Sequence, residues 1–173
     1  MFHFVIITAM DYKHFIKKID LPKDFKAPEL LKYEDIIAKP LTREDLIADM
    51  DAVNSSLELI RRTRGGSWPS EAVSEEFDLL DLAWHEREFR DYDSFAYVVY
   101  TKAGVYIGCF YLYGMGQRTA LAPALLDFQV DASWWVDTKA YNAGYYQKLQ
   151  AALQTWLPNQ FRFTHIYYSN KEM

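Results

Sequence analysis

Residues Leu125 to Leu157 change from the periodicity of a strand to that of a helix, and this change limits the folds open to the chain. From Leu126 to Val136, apolar side chains alternate with mostly polar ones, which predicts a strand with two distinct faces. After Asp137 the apolar positions recur at helical spacing, and Pro158 closes the run. A strand that leads into a helix N-terminus often binds anionic ligands, because unpaired backbone N–H groups and the helix dipole point there.

Length and composition predict one globular domain. The 173 residues suit a single core, with an N-terminal strand or arm at 1–28 and the core domain at 29–169. An aromatic content of 17% and a charged content of 25% argue against a disordered or fibrous chain. The net charge of -5 gives no general attraction to nucleic acid or to an anionic membrane, so we expect neither as a partner.

The N-terminal run and the lone cysteine both point to the cytoplasm. Phe2–Met10 is apolar, but it has no basic leader and is too short to span a bilayer, so we expect a strand. Cys109 has no partner for an internal disulfide. It lies within an apolar strand pattern, which favours a small buried hydrophobe over a catalytic thiol.

The remaining elements alternate between strands and helices. Leu31–Leu41 is a strand candidate stopped by Pro40, and Thr42 caps a helix that follows. A second helix, capped by Ser67 or Ser70 and running to about Phe89, has an apolar stripe that we expect to face the core. Its members are Val73, Phe77, Leu80 and Trp84.

The second half of the chain adds three strands. Phe95–Thr101 and Val105–Tyr113 flank a short turn and form an antiparallel hairpin, and Phe161–Tyr168 is the last strand. The order of elements predicts an α/β (α+β) layer fold with helices on a mostly antiparallel sheet.

Two polar clusters are candidate ligand sites. Arg61, Arg62 and Arg64 end the first helix beside a Gly-Gly turn, where they either complement the helix dipole or receive a carboxylate or phosphate. On the second helix, Asp81, His85 and Glu88 share one face, which is either a solvated polar surface or a carboxylate-flanked base.

We expect no metal site on the second helix. A zinc-protease motif needs a second histidine four residues after His85, and that position is Phe89.

Several segments together resemble the GNAT N-acetyltransferase superfamily, and more narrowly a small uncharacterised GNAT-like family. They are SWP at 67–69, HEREF at 85–89, FAYVVY followed by YIGCFYLY, DASWWV at 131–136 and YNAGYY at 141–146. The resemblance covers about residues 30 to 168 and implies a mixed sheet with helices on both faces. The family usually continues beyond the fifth strand, and this sequence stops at Met173, so we expect a truncated sheet.

The resemblance implies an acetyl-CoA site at the end of the central strand and the start of the helix. The residues it points to are Trp135, Val136, Tyr141, Asn142, Ala143, Gly144 and Tyr145. Of the family's phosphate-binding pattern, which falls on Tyr141, Gly144 and Tyr146, only the glycine is retained. A phenol at Tyr146 stands where a small residue is expected, and we expect it to fill space that the cofactor needs.

The implied activity is transfer of an acyl group from acyl-CoA to a small amine, which needs a base because a protonated ammonium cannot attack a thioester. Asp131 is the candidate base, with His85 and Glu88 as further catalytic candidates, although a structural role for Asp131 fits equally well. The alternative is a non-catalytic GNAT-fold ligand-binding or interaction module that has lost acetyl-CoA. A truncated sheet also leaves an edge that a second copy could cover, which suggests a homodimer.

Overall fold

The computed structural model describes residues 14–173, which form one six-stranded sheet in chain order. Every neighbouring pair is antiparallel except β5 and β6, which are parallel. This arrangement confirms the predicted mixed, mostly antiparallel sheet, while the predicted strand Phe2–Met10 lies outside the described residues. The strands are β1 (Leu31–Tyr33), β2 (Ile36–Pro40), β3 (Phe95–Thr101), β4 (Tyr106–Tyr113), β5 (Val130–Val136) and β6 (Ile166–Tyr168).

Helices cover both faces of this sheet. A 3-10 turn at Arg43–Asp45 precedes the first of them. The helices are α1 (Leu46–Asn54), α2 (Leu57–Thr63), α3 (Glu75–Asp91), α4 (Thr138–Asn142) and α5 (Tyr145–Gln160). One core cluster joins the sheet to α5, and the other joins its opposite face to α1, α2 and α3. Among residues 14–173 no helix is long and apolar enough to cross a membrane.

Three predicted element boundaries are wrong. The segment Leu31–Leu41 is two strands, because Glu34 adopts a left-handed φ of 48° and turns the chain into a hairpin. The predicted first helix is broken at Ser55 and Ser56 into α1 and α2. The last strand is only Ile166–Tyr168.

Two helix ends also differ from the prediction. Ser74 caps α3, in place of Ser67 or Ser70, by accepting a hydrogen bond from the Phe77 N–H at 3.2 Å. Pro158 does not end α5, which continues for two more residues to Gln160.

The hairpin of β3 and β4 is confirmed, and it contains a bulge that requires glycine. The register shifts between Val99 and Tyr100, opposite Gly108. Gly108 has φ 150°, and a Cβ there would lie 2.1 Å from the Trp135 carbonyl oxygen. The backbones of β4 and β5 can therefore approach this closely only without a side chain at position 108.

The central strand β5 is buried along its whole length, so its polar face does not meet solvent as an alternating pattern suggests. Val130, Ala132, Trp134 and Val136 belong to the core beneath α5. Trp135 belongs to the opposite core together with Cys109, which is a buried residue as predicted.

The apolar stripe of α3 faces away from the core, contrary to the prediction. Phe77, Leu80 and Trp84 are 54%, 66% and 56% exposed, whereas Asp78 and His85 are buried. Helical spacing identifies a shared face, but it does not say which face the sheet covers. Here the sheet beneath α3 presents Tyr111, and this polar aromatic surface accepts the polar face of the helix.

Candidate functional site

A cleft of about 330 Å³ separates α3 from β4 and combines aromatic walls with charges of both signs. It contains His85 and Glu88, two of the three predicted catalytic residues, so the polar face of α3 meets a cleft and is not a solvated surface. The lining residues are Arg64, Trp68, Asp81, Trp84, His85, Glu88, Tyr111, Tyr113, Gln117 and Arg118.

Arg64 is the cation at the base of the cleft. Its Nε donates to the Ser133 hydroxyl at 3.2 Å, and its guanidinium lies 4.2 Å from the centre of the Tyr111 ring. The arginines at positions 61, 62 and 64 do not act together. Arg61 donates to the Pro69 and Ser70 carbonyls, and Arg62 forms an ion pair at 3.6 Å with the carboxylate of Glu172.

His85 lies between two carboxylates. Its Nε2 is 3.6 Å from Asp81 and its Nδ1 is 3.8 Å from Glu88, and Nδ1 has no hydrogen-bond partner among the described residues. Burial lowers the pKa of His85; the two carboxylates oppose this shift and Arg64 adds to it. The imidazole is therefore neutral near pH 7, when it can accept a proton.

Glu88 serves as a fixed anchor. Its carboxylate accepts hydrogen bonds from the Ser94 hydroxyl at 2.6 Å, from Trp84 Nε1 at 2.9 Å and from Gln117 Nε2 at 3.4 Å. These donors leave it little freedom to take a proton from a ligand, so its role in the cleft is to position Trp84 and the β4–β5 loop.

Asp131 is fully buried on β5, opposite Tyr113, and it is not among the residues that line the cleft. Burial raises the pKa of its carboxyl, while Ser169, Thr119 and Arg118 act in the opposite direction. Neither oxygen has a partner at hydrogen-bond geometry. The structure therefore does not bring Asp131 together with His85 and Glu88 in one cavity.

Strands β5 and β6 pair only from Val130 to Ala132, and beyond that point residues 169–172 fill the space beside β5. We call Ser169–Glu172 the gap segment. The Asn170 side-chain amide accepts from the Trp134 N–H at 3.0 Å and donates to the Trp134 carbonyl at 2.9 Å. The Trp134 backbone groups, which β6 does not reach, are thus hydrogen-bonded by the Asn170 side chain.

Tyr146 closes the same gap from the α5 side. It is 1% exposed, its ring lies 5.4 Å from that of Trp134, and its hydroxyl donates to the Glu172 carbonyl at 2.6 Å. The same hydroxyl accepts from Asn170 at 2.6 Å. The expectation that Tyr146 fills this space agrees with the structure.

The predicted cofactor residues are divided between core and surface. Trp135 and Val136 are buried, and Trp135 Nε1 donates to the Tyr111 hydroxyl at 3.1 Å. The Tyr145 hydroxyl donates to Asp35 at 2.7 Å, and the Tyr141 hydroxyl donates to Glu172.

The other three predicted cofactor residues are exposed: Asn142 is the last residue of α4, and Ala143 and Gly144 link α4 to α5. Tyr141 and Asn142 line a separate cavity of about 690 Å³ between α4 and the start of α2.

The gap as it stands does not fit the acetyl-CoA that the family resemblance implies. An extended amide arm would need the Trp134 N–H and carbonyl, and both are paired with Asn170. It would also need the volume occupied by the buried Tyr146 ring. Among the described residues, no group of three or more His, Cys, Asp or Glu side chains could hold a metal ion.

Sequence reasoning missed the gap segment and most of the cleft. Asn170 gives no periodic signal, because it follows the last strand in a short polar run. Arg118 lies in a loop, yet it donates to the Arg64 carbonyl at 2.7 Å and to the Ser169 hydroxyl at 3.0 Å, so it joins the cleft to the gap segment. Of the cleft residues, the sequence indicated Arg64 as a candidate ligand contact and Asp81, His85 and Glu88 as one helix face.

No protein-family model and no curated protein matches this sequence, but solved structures do. A RimL ribosomal L7/L12 alpha-N-protein acetyltransferase in complex with coenzyme A has a TM-score of 0.63 at 12% identity. The match covers 81% of this chain and 73% of the RimL chain. The ribosomal-protein-S5-alanine acetyltransferase from Vibrio fischeri has a TM-score of 0.60 at 11% identity, over 80% and 72%. Mycobacterium smegmatis RimJ in complex with CoA-disulfide has a TM-score of 0.58 at 11% identity, over 77% and 61%.

At these identities the likeness establishes the fold alone. The chain has the fold of the GNAT acetyltransferases.

Proposed function

We propose that this chain is a GNAT-fold binding protein that holds a small ligand in the cleft around Arg64 and His85 and does not take acetyl-CoA between its strands. The observation that carries the proposal is the pairing of the Asn170 amide with both backbone groups of Trp134. That pairing uses the groups on β5 that an extended ligand would have to contact.

The gap segment is held strongly enough to weaken the binding of any cofactor that must displace it. Opening the gap breaks the two Asn170–Trp134 bonds, the two bonds of the Tyr146 hydroxyl and the bond from Lys171 N–H to the Thr63 carbonyl. At about 1 kcal/mol for each, the cost is roughly 5 kcal/mol. A cofactor that had to open the gap would bind roughly 10³ to 10⁴ times more weakly than one entering an open gap.

The cleft suits a small ligand that carries both an amine and a carboxylate. Asp81 and neutral His85 can receive an ammonium group at the mouth, and Arg64 can receive a carboxylate at the base. Trp68 and Tyr111 flank Arg64 and provide apolar contact for the carbon skeleton. Free amino acids are the simplest ligands with this chemistry.

A thermal-shift screen with free amino acids tests this proposal. We expect at least one to raise the melting temperature, and we expect its N-acetyl derivative and its amide, each lacking one charge, to have little effect. Arg64→Met should abolish the shift, whereas Arg43→Met, at an exposed ion pair outside the cleft, should keep it. A shift that persists in Arg64→Met, or the absence of any shift, would contradict the proposed site.

The second candidate is an N-acyltransferase, and the observation that favours it is the buried carboxylate of Asp131 beside the strand gap. A carboxyl with a raised pKa suits a general base that takes a proton from an ammonium. The acceptor would be a small amine, as the sequence suggests, or a protein N-terminus, because the structural neighbours are named as acetyltransferases of ribosomal proteins.

Incubation with radiolabelled acetyl-CoA and a mixture of small amines and ribosomal proteins tests this second candidate. It requires label transfer that Asp131→Asn removes and Asp127→Asn, an exposed carboxylate, retains. Our first proposal predicts no transfer to any acceptor.

A further inference from the structure

An exposed apolar stripe on α3 extends beyond the cleft, to which only its Trp84 contributes. Phe77, Leu80 and Trp84 recur at intervals of three and four residues and are all more than half exposed. Arg87 continues the stripe and lies over the Trp84 ring at 4.2 Å. Alternating intervals of three and four are the spacing of a seam between two helices, so this face is shaped to pack against another helix.

The charges beside the stripe show what kind of helix it would accept. Exposed Glu75 and Glu76 lie in the first turn of α3. Arg87 and Arg90 lie in its last two turns, where the two share the single carboxylate of Asp91 and leave this end with a net positive charge. A second α3 running in the opposite direction would place the acidic end of each helix beside the basic end of the other. The stripe is therefore complementary to itself about a two-fold axis.

We propose that two copies of this chain dimerise through an antiparallel pair of α3 helices. With the two stripes facing each other, Leu80 packs against Trp84 of the other copy. Phe77 packs against the aliphatic part of the other copy's Arg87. On the solvent side of the seam, Glu76 faces Arg90 of the other copy, and Ala83 faces its own counterpart across the axis. The two Asp81 carboxylates lie on the other side, where each is turned toward its own His85 at 3.6 Å.

This interface differs from the edge-strand pairing that we expected from the sequence. The edge strand β6 has only three residues, which is too short to provide an extended ladder. The α3 seam instead offers large apolar side chains already ordered on a 17-residue helix. A helix pair buries less than a standard interface of about 800 Å² per partner, so we expect association in the micromolar range.

Sedimentation equilibrium across micromolar concentrations measures the association. We expect the intact chain to form a dimer and Leu80→Glu to remain monomeric, while Val105→Glu, at an equally exposed apolar residue beside the hairpin turn, leaves the dimer intact. Because Leu80 is exposed, the Leu80→Glu variant should keep its circular dichroism spectrum. A chain that stays monomeric throughout this range overturns the proposal.

Two further variants test the register. Glu76→Arg and Arg90→Glu should each weaken the dimer, and the double exchange should restore it, because the two residues face each other across the seam. Ala83→Cys should form a disulfide-linked dimer on mild oxidation, whereas Val105→Cys should not. A dimer that Leu80→Glu fails to weaken, or an Ala83→Cys chain that fails to cross-link, overturns the antiparallel α3 arrangement.

Discussion

At the scale of single residues, burial of polar groups decides where the chemistry lies, and a sequence does not record burial. The positions of Asp131, His85 and Glu88 were readable because of their residue types and spacing. The hydrogen bonds from Arg64 to Ser133 and between Asn170 and Trp134 were not, because they join distant parts of the chain. Contacts between residues 69 and 36 positions apart in sequence depend on the complete fold.

A carboxylate pair between α1 and α3 should make stability depend on pH. Burial and neighbouring carboxylates raise the pKa of Asp49 to about 6 and that of Asp78 to about 7. Both values exceed those of the unfolded chain, so the folded state binds more protons and is stabilised as pH falls from about 8 to about 5. Asp78→Asn should reduce the change in unfolding free energy over this pH range by roughly 1 to 3 kcal/mol.

Thermal unfolding of the wild type and Asp78→Asn across this pH range provides the measurement. The matched control is Asp24→Asn, which changes an exposed carboxyl, leaves Asp49 and Asp78 in place and should keep the wild-type dependence. The lowered pKa of His85 acts in the opposite direction over the same range, so the test is the difference between the two proteins. An equal pH dependence in the wild type and in Asp78→Asn would contradict the assignment.

Removing the Asn170 amide should destabilise the fold. Asn170→Ala leaves the buried N–H and carbonyl of Trp134 without partners, and we expect a loss of about 2 to 3 kcal/mol in urea unfolding. Asn159→Ala, which removes an exposed helix-surface hydrogen bond, should cost a few tenths of that amount. Equal effects of the two substitutions would show that the gap segment does not hold the strand.

At the scale of elements, periodicity predicted which segments are regular but not which face each segment buries. The hairpin β3–β4 and helix α5 were predicted because their patterns are long and bounded by clear breakers. The orientation of α3 was predicted wrongly, because the sheet beneath it is polar at Tyr111, over which the Arg64 guanidinium lies. The turn at Glu34 was missed because a glutamate gives no turn signal.

The bulge in β4 should be intolerant of any side chain. Gly108→Ala would place a Cβ against the Trp135 backbone, and we expect a loss of more than about 3 kcal/mol or a failure to fold. Gly104→Ala, in a turn with φ 82° and open space around it, should cost only about 1 kcal/mol. Urea unfolding of both variants compares their losses of unfolding free energy. Similar losses would show that the positive φ alone, and not the contact with the Trp135 backbone, destabilises Gly108→Ala.

At the scale of the whole molecule, the fold favours acyl transfer, whereas the filled gap between β5 and β6 argues against it. The likeness to CoA-bound structures covers most of the chain at 11 to 12% identity. Within that fold, the gap segment and Tyr146 occupy the space between the diverging strands. The sequence resemblance predicted the architecture because the architecture depends on many residues, whereas cofactor binding depends on the few residues around the gap.

Calorimetric titration of acetyl-CoA into the intact chain, repeated with Tyr146→Ala, measures whether the gap is closed. We predict no binding heat for the intact chain at millimolar acetyl-CoA. Binding that appears only in Tyr146→Ala would show that the phenol is the block. Micromolar binding to the intact chain would contradict this account, because a cofactor that binds so tightly would have to displace Asn170 from Trp134 at little cost.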